Sequence, residues 1–398
     1  MSHSKAVTAS RKGTDSSRLT SLDGIRGLSA LHVVLTHFFA PLVVILPSLS
    51  SVQWFGTGHW LAAFPFFFLS GFIIMLTWNR KIAEMTGANY AWFLRERLMR
   101  LYPAYFAALM PFVAVKLISY LPGVHASYLP VHPWKSLPVE LCMLQSIYSW
   151  GAFCWNGPAW SMSTLLVTSL FLFPVLFVLL QKVKKRGYLP GASGLMIVFA
   201  AFVHFHREWD WTSAQCRVVL AFVIGALVYG VWKRFPRPSQ LFVNAVGVLC
   251  IVGYFSALYL GSKSAGPTGN MGTFANSVVM ASVAAFILCA AWSDRYLFAL
   301  LNLPPLRWLG KLSYSLYLSH SFVEQALRKV ILQNKDAVLE VRLGLFALSW
   351  LLVIAAAAAL YYGVEHPCEE WRKRRRLRRK AEAAAPPGEA AFTAAAES

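Results

Sequence analysis

The chain has 398 residues, of which 57% are hydrophobic, 15% aromatic and only 14% charged, and its mean hydropathy is +0.52. Soluble domains carry roughly a quarter charged residues, so a water-soluble globular protein is excluded and a multi-spanning membrane protein is indicated. The net charge of +20 does not point to nucleic acid, because the basic residues cluster between apolar runs, as membrane topology would place them.

Residues 1–20 are polar and read as a flexible cytoplasmic tail. They are not a secretory signal, since the first apolar run is too long and never ends in a small-residue cleavage site. Ten apolar segments follow, at about 24–46, 60–78, 101–121, 159–180, 189–205, 217–232, 240–260, 273–292, 312–332 and 343–364. Most are long enough to cross a bilayer as helices, the fifth and sixth being short. An even number of spans puts both termini on one side. On that side fall 27 of the 37 Lys and Arg residues, against nine on the other, and positive residues mark the cytoplasm. The sequence therefore predicts an all-α integral membrane protein of about ten helices with both termini cytoplasmic. A transmembrane domain over 21–368 lies between the first tail and a second one at 369–398.

The first span, Leu22 to Phe39, carries Arg26 and His37, eleven residues apart. Eleven steps of about 100° return the azimuth to within roughly 20°, so both side chains share one face, about 16 Å apart along the axis. Ionisable side chains within a span usually face a polar cavity. Spacing alone is equally compatible with Arg26 snorkelling to the headgroups and His37 making an interhelical hydrogen bond. Asp23 either caps this helix or pairs with Arg26. His32 lies about 140° around from His37, outside any site they share.

The longest outer loop, about 122–158, is rich in Pro, Trp and Tyr, which suit sugar or lipid-interface contacts but also populate membrane belts by default. Cys142 and Cys154 share this loop and are a candidate disulfide pair in an oxidising space. Cys216 is also placed outside, whereas Cys250, Cys289 and Cys368 read as membrane or cytoplasmic thiols. No CxxC or Cys/His ligand spacing occurs, so no metal site is expected. His59, His125, His132, His204 and His206 fall in or near outer loops and need no special role. At the other end, Arg372–Lys380 is nearly all basic and reads as an anchor beside anionic lipid. Ala381–Ser398 has little to pack. No internal repeat of the kind common in transporters is apparent.

The motifs converge on one family. LDGIRGLSALHVVLTHF (Leu22–Phe38) resembles the opening of the membrane acyltransferase-3 family, whose first helix carries an Arg and a His with ten residues between. FFFLSGF (Phe66–Phe72) resembles its second-helix motif. FLRERLMRLYP (Phe93–Pro103) resembles the basic segment leading into the third, with Arg97 and Arg100 in the R-x-x-R positions. NGPAWSMS (Asn156–Ser163), LGKLSYSLYLSH (Leu309–His320) and VEHP (Val364–Pro367) resemble the motifs of the fourth, ninth and tenth helices. Six weak motifs in order are jointly specific, and the resemblance covers about residues 19–375.

Two positions depart from the pattern. Many members carry Glu one residue after the W-S-x-S motif and its following residue, where this chain has Leu165. Glu324, one turn beyond His320, and Glu140 in the outer loop are candidate substitutes. The acidic or polar position before F-F-x-x-S-G-F is taken by Phe64 and Pro65.

The resemblance implies an O-acyltransferase, most often an O-acetyltransferase, that uses cytoplasmic acetyl-CoA or another acyl-CoA as donor and a hydroxyl as acceptor. That acceptor would belong to an envelope carbohydrate such as an exopolysaccharide, O-antigen or lipid-linked glycan, and the enzyme would be a multi-pass protein of the bacterial inner membrane. No bound cofactor and no nucleic-acid partner is expected. Acyl transfer needs a base near the attacking hydroxyl and a grip on an anionic donor. His37 suits the base, since imidazole titrates near neutrality, acting either on the hydroxyl or as a transient acyl acceptor. Arg26 suits the donor or the cavity's polar network. Arg97 and Arg100, one turn apart, suit CoA phosphates through their guanidinium forks, although basic residues here also serve as positive-inside anchors, as Arg80, Lys81 and Arg95 do. Ser70, Gly71, Trp160, Ser161, Ser163, Tyr314 and His320 are candidate site-lining residues. For Ser70 and Gly71 helix packing is the favoured reading, and for His320 the default is a helix–helix hydrogen bond. Glu365 reads as structural. Two rival functions remain open: acylation of a small secondary metabolite such as a macrolide, and transport of a glycan or metabolite.

Overall fold

The computed structural model describes residues 19–56, 61–122, 133–148, 155–183, 187–188, 191, 210–264 and 273–384. Among these residues all regular structure is helical. The first helix, α1 (Thr20–Ile45), has Asp23 in its first turn, where a carboxylate favours the helix N-terminus, and it ends just before Pro47. Helix α2 (Phe64–Trp78) begins with Pro65, whose fixed φ suits a first turn. Thr86 caps α3 (Gly87–Ile118) by accepting the Asn89 N–H at 3.2 Å. Two short helices, α4 (Leu137–Leu141) and α5 (Gln145–Tyr148), precede α6 (Ala159–Lys182). Then come α7 (Asp210–Arg234), α8 (Gln240–Ser264), α9 (Thr273–Trp292), α10 (Pro304–Gln333) and α11 (Leu339–Leu360). A π-helical turn, Tyr361–Glu365, carries α11 into α12 (His366–Ala384).

Among the described residues, eight helical stretches are long and apolar enough to cross a membrane. They are α1, α2 with its preceding turn, α3, α6, α7, α8, α9, and the continuous run from α11 into α12. Helix α10 is more polar than these, yet its 30 residues span about 45 Å. Its polar residues turn inward, with Ser313, Ser315 and His320 fully buried. The expected segment at 189–205 lies almost wholly outside the described residues, as do His59, His125, His132, Cys154, His204 and His206.

Helix α1 lies along α10, and α2 along α7. Glycines permit both close approaches: a Cβ on Gly27 or Gly310 would meet the backbone of the facing helix, and the same holds for Gly71 and Gly225.

Two boundaries differ from the sequence expectation. The third span was expected from about 101, but α3 starts at Gly87 and takes in the whole basic segment. The charges there read as loop because they break the apolar run, whereas Glu96 and Arg97 have partners inside the fold. Beyond 365 the basic run continues as helix α12 and lies against α3.

Candidate active site

The α1–α10 contact brings two histidines together. The rings of His37 and His320 stand 4.9 Å apart, inclined at 56°. His320 is completely buried, and its Nδ1 lies 3.2 Å from the Leu316 carbonyl. A carbonyl only accepts, so this contact assigns the proton to Nδ1 and leaves the Nε2 lone pair free. That Nε2 is buried without a hydrogen-bond partner. Tyr317, one turn back, stands 5.8 Å from the His320 ring, and its hydroxyl is 2.7 Å from Ser161 Oγ on α6.

Below the histidines, toward the basic end of the bundle, lies a cavity of about 130 Å³. This is well beyond the ~10–15 Å³ that a single water needs. Its inner wall is apolar and aromatic, formed by Phe66, Leu69, Ile73, Met162, Leu165 and Tyr317. Its mouth carries Arg26, Lys81, Arg97, Arg100 and Arg372, with Glu96 the acidic residue among the lining. Ser70 and Tyr314 also line it, and the Tyr314 hydroxyl donates to the Leu101 carbonyl at 2.8 Å.

Each arginine is held differently. Arg26 is 3.9 Å from Asp23, one turn away on α1. Arg97 donates from Nε to Ser169 Oγ at 3.2 Å, while its Nη2 is buried without a hydrogen-bond partner. Arg372 comes from α12 and meets Glu96 at 3.4 Å. Lys81 sits in the turn after α2 with its ammonium 4.5 Å from the centre of the Trp78 ring. Burial pushes the Lys81 ammonium down to about 8, helped by Arg376, Arg372 and Arg100 and opposed by Glu96. Glu365 accepts from Ser315 Oγ at 2.6 Å and lies within electrostatic reach of Arg26 and Arg100.

At the opposite end a second polar cluster closes the bundle. Glu140, fully buried, accepts the Trp155 N–H and the Tyr105 hydroxyl, both at 2.9 Å. Gln145 donates to the Tyr105 hydroxyl and to the Ala159 carbonyl. Ser163 is 2.7 Å from Ser146 Oγ and donates to the Met143 carbonyl. Burial raises the Glu140 carboxyl to about 7 against the pull of its two donors.

Of the residues singled out in the sequence, Arg26, Ser70, Arg97, Arg100 and Tyr314 meet around the cavity, and His37, His320 and Ser161 lie in the linked layer above it. Gly71 does not line it, because its bare backbone packs against the Phe222 carbonyl of α7. Ser163 belongs to the opposite cluster, and Trp160 is half-buried among the apolar side chains. Glu140 and Glu324 do not reach the cavity: Glu140 ties the outer loop to α3, and Glu324 pairs with Arg328 at 3.8 Å. Leu165 does line the cavity, with an apolar face at the position where the family pattern has a carboxylate. His32 faces away, 3.2 Å from the Tyr254 hydroxyl. Sequence reasoning missed Lys81, Glu96 and Arg372. Lys81 and Arg372 showed only as positive-inside charge and Glu96 only as a break in the apolar run, neither of which hints that residues so far apart share one mouth.

The family model described as an acyltransferase domain matches residues 19–363 of this chain. A protein from Rhizobium radiobacter, "Protein 2 in picA locus", is 31% identical over 165 residues, an alignment covering 38% of this chain and 79% of that protein. No solved structure matches this chain.

Proposed function

We propose, since the chain belongs to the acyltransferase-3 family and is a multi-pass membrane acyltransferase, that it is an O-acyltransferase of envelope carbohydrate. In this reading it sits in the bacterial inner membrane with the basic end facing the cytoplasm. It takes an acyl group, acetyl in the first instance, from cytoplasmic acyl-CoA and passes it to a hydroxyl of an exopolysaccharide, O-antigen or lipid-linked precursor.

One observation carries the reading. A single helix, α1, offers an arginine to a cationic cavity and, about 16 Å further along, a histidine set against a second buried histidine. An anionic thioester needs the first, and an attacking hydroxyl needs the second. Arg97 and Arg100 bind the donor phosphates through guanidinium forks. The pantetheine arm runs along the apolar wall past Leu165, where a carboxylate would be costly to desolvate. His37 is the catalytic base: it accepts the proton of the acceptor hydroxyl as that oxygen attacks the thioester carbonyl. The C–O bond forms, the C–S bond breaks, and the imidazolium returns the proton to the departing CoA sulfur. His320 is a positioning residue that fixes the His37 ring by contact. The Ser161–Tyr317 pair holds the wall beside it.

The test is ester content of the envelope glycans, measured by mass and NMR in a strain lacking this protein and in strains restored with parent, His37→Ala or Arg26→Ala. An acetyl group restored by the parent and by neither variant supports the reading. An ester on a secreted small molecule, with glycans unchanged, would replace the acceptor. Full restoration by His37→Ala would remove the base.

A further inference from the structure

The basic helix α12 lies beyond the stretch matched by the family model, which stops at residue 363. A helix of Arg and Lys after a last span has an ordinary explanation as a topological anchor, and several of its basic residues are indeed outward. Arg374 and Arg378 are exposed, Lys373 pairs with Glu369 and Glu370 on its own helix, and Arg375 lies over Trp371. Arg372 is different. It turns inward, its side chain is only 11% exposed, and it lines the same cavity as Arg97 and Arg100.

Its pairing is poor for a structural salt bridge. A bidentate arginine–carboxylate pair makes two contacts of about 2.7–2.9 Å. Arg372 meets Glu96 through Nη2 alone at 3.4 Å, its Nε is buried with no hydrogen-bond partner, and Arg376 competes for the same carboxylate oxygen at 3.7 Å. Around Glu96 and the half-buried Lys81 therefore stand Arg372, Arg376 and Arg100. Glu369 lies near Arg100 and Arg372 but is already engaged by Lys373, and Glu365, near Arg100, is engaged by Ser315 and shared with Arg26. So much positive charge gathered around so little carboxylate is costly without an anion.

We propose that Arg372, reaching in from the C-terminal helix, is a phosphate ligand of the donor site, with Lys81 beside it, and that Glu96 holds its guanidinium in place until an anionic donor arrives. This rests on the reading of the cavity as an acyl-CoA site and adds a clamp from beyond the stretch that the family model matches. CoA carries a diphosphate and a separate 3′-phosphate, so one arginine pair on α3 does not exhaust its charge. An acidic phospholipid headgroup presents the same phosphate chemistry at this membrane face, and the experiment separates the two.

The test is CoA binding to the full-length protein in nanodiscs of phosphatidylcholine alone and of phosphatidylcholine with phosphatidylglycerol. Parent, Arg372→Ala, Arg374→Ala and Glu96→Gln are compared. The expected result is a Kd raised about tenfold by Arg372→Ala in both lipids, with no change for Arg374→Ala, which removes the same charge from the exposed side. Glu96→Gln removes the competing carboxylate and tightens CoA several-fold, and it decides the matter should Arg372→Ala not fold. Parent-like affinity in Arg372→Ala, or an effect seen only with phosphatidylglycerol, overturns the inference while leaving the donor site standing. Parent-like or weaker affinity in Glu96→Gln overturns it as well. Failure of the parent to bind CoA at all overturns the donor site and this clamp together.

Discussion

The two polar clusters at opposite ends of the bundle are built on opposite principles. At the outer-loop end, both Glu140 oxygens accept hydrogen bonds within 2.9 Å, and serines and Gln145 extend the network from α5 into α6. At the basic end, Glu96 is shared loosely by two arginines, and Arg97 and Arg372 each bury a nitrogen with no partner. A buried network whose donors and acceptors meet is a scaffold. Buried cations with a donor left over mark a place where the protein tolerates cost, as binding sites do. The contrast is between a region whose polar groups are matched and one whose cations are only partly matched.

The largest expected effect separates chemistry from both. On the proposed reading, His37→Ala removes the general base and should cost about 10²–10⁴ in rate while leaving thermal stability near that of the parent. Glu140→Ala should do the reverse. It removes the carboxylate that accepts the Trp155 N–H and one of the two Glu140 oxygens facing the Tyr105 hydroxyl, which keeps the Glu140 main-chain carbonyl at 2.8 Å. The loss of about 1–3 kcal/mol is read as an early thermal transition in detergent, with donor KM unchanged in protein that remains folded. A Glu140→Ala protein as stable as the parent would erase the distinction between the two ends.

Smaller effects come from titration. Lys81 is charged below about 8 and neutral above it, with Arg100, Arg372 and Arg376 pressing on it and Glu96 opposing them. An anionic donor favours the charged form, so donor KM should rise a few-fold as pH passes upward through 8. Lys81→Arg, which keeps its charge, should flatten that rise; a rise that persists in Lys81→Arg would place the titrating group elsewhere. At the other end, the folded Glu140 carboxyl titrates near 7, above the ordinary value near 4.5. The folded state thus binds the proton more tightly, so the stability from this group is full below about 4.5 and is lost as pH rises through 7. The melting temperature should fall by a few degrees across that window in the parent and stay flat in Glu140→Gln.

What could be read from the chain alone follows the range of the signal. The α1 pair was legible because Arg26 and His37 sit on one helix and 3.6-residue geometry fixes their common face. Arg97 and Arg100 were legible by the same short-range logic together with the family motif. The start of α3 was misplaced because Glu96 and Arg97 interrupt the apolar run, although both are turned toward α6 and α12 rather than to solvent. Arg372 was unreadable as a cavity residue, since its basic neighbours give it the pattern of an anchor and only the packing of α12 on α3 turns it inward. Gly71 and Ser163 sit within motifs that suggested a site, yet one serves the contact with α7 and the other the outer network. A motif marks a helix, but the face that each residue takes depends on which helix lies beside it.

The most direct test of the account pairs two measurements on the same purified protein: CoA binding, and transfer of labelled acetyl from acetyl-CoA to isolated envelope glycan. The expected result is crossed. His37→Ala binds CoA like the parent and transfers acetyl at least about a hundredfold more slowly, whereas a double Arg97→Ala, Arg100→Ala variant loses CoA affinity by at least tenfold. If His37→Ala transfers acetyl at the parent's rate, or the double variant binds CoA like the parent, the division of α1 and the basic cavity into base and donor grip is wrong.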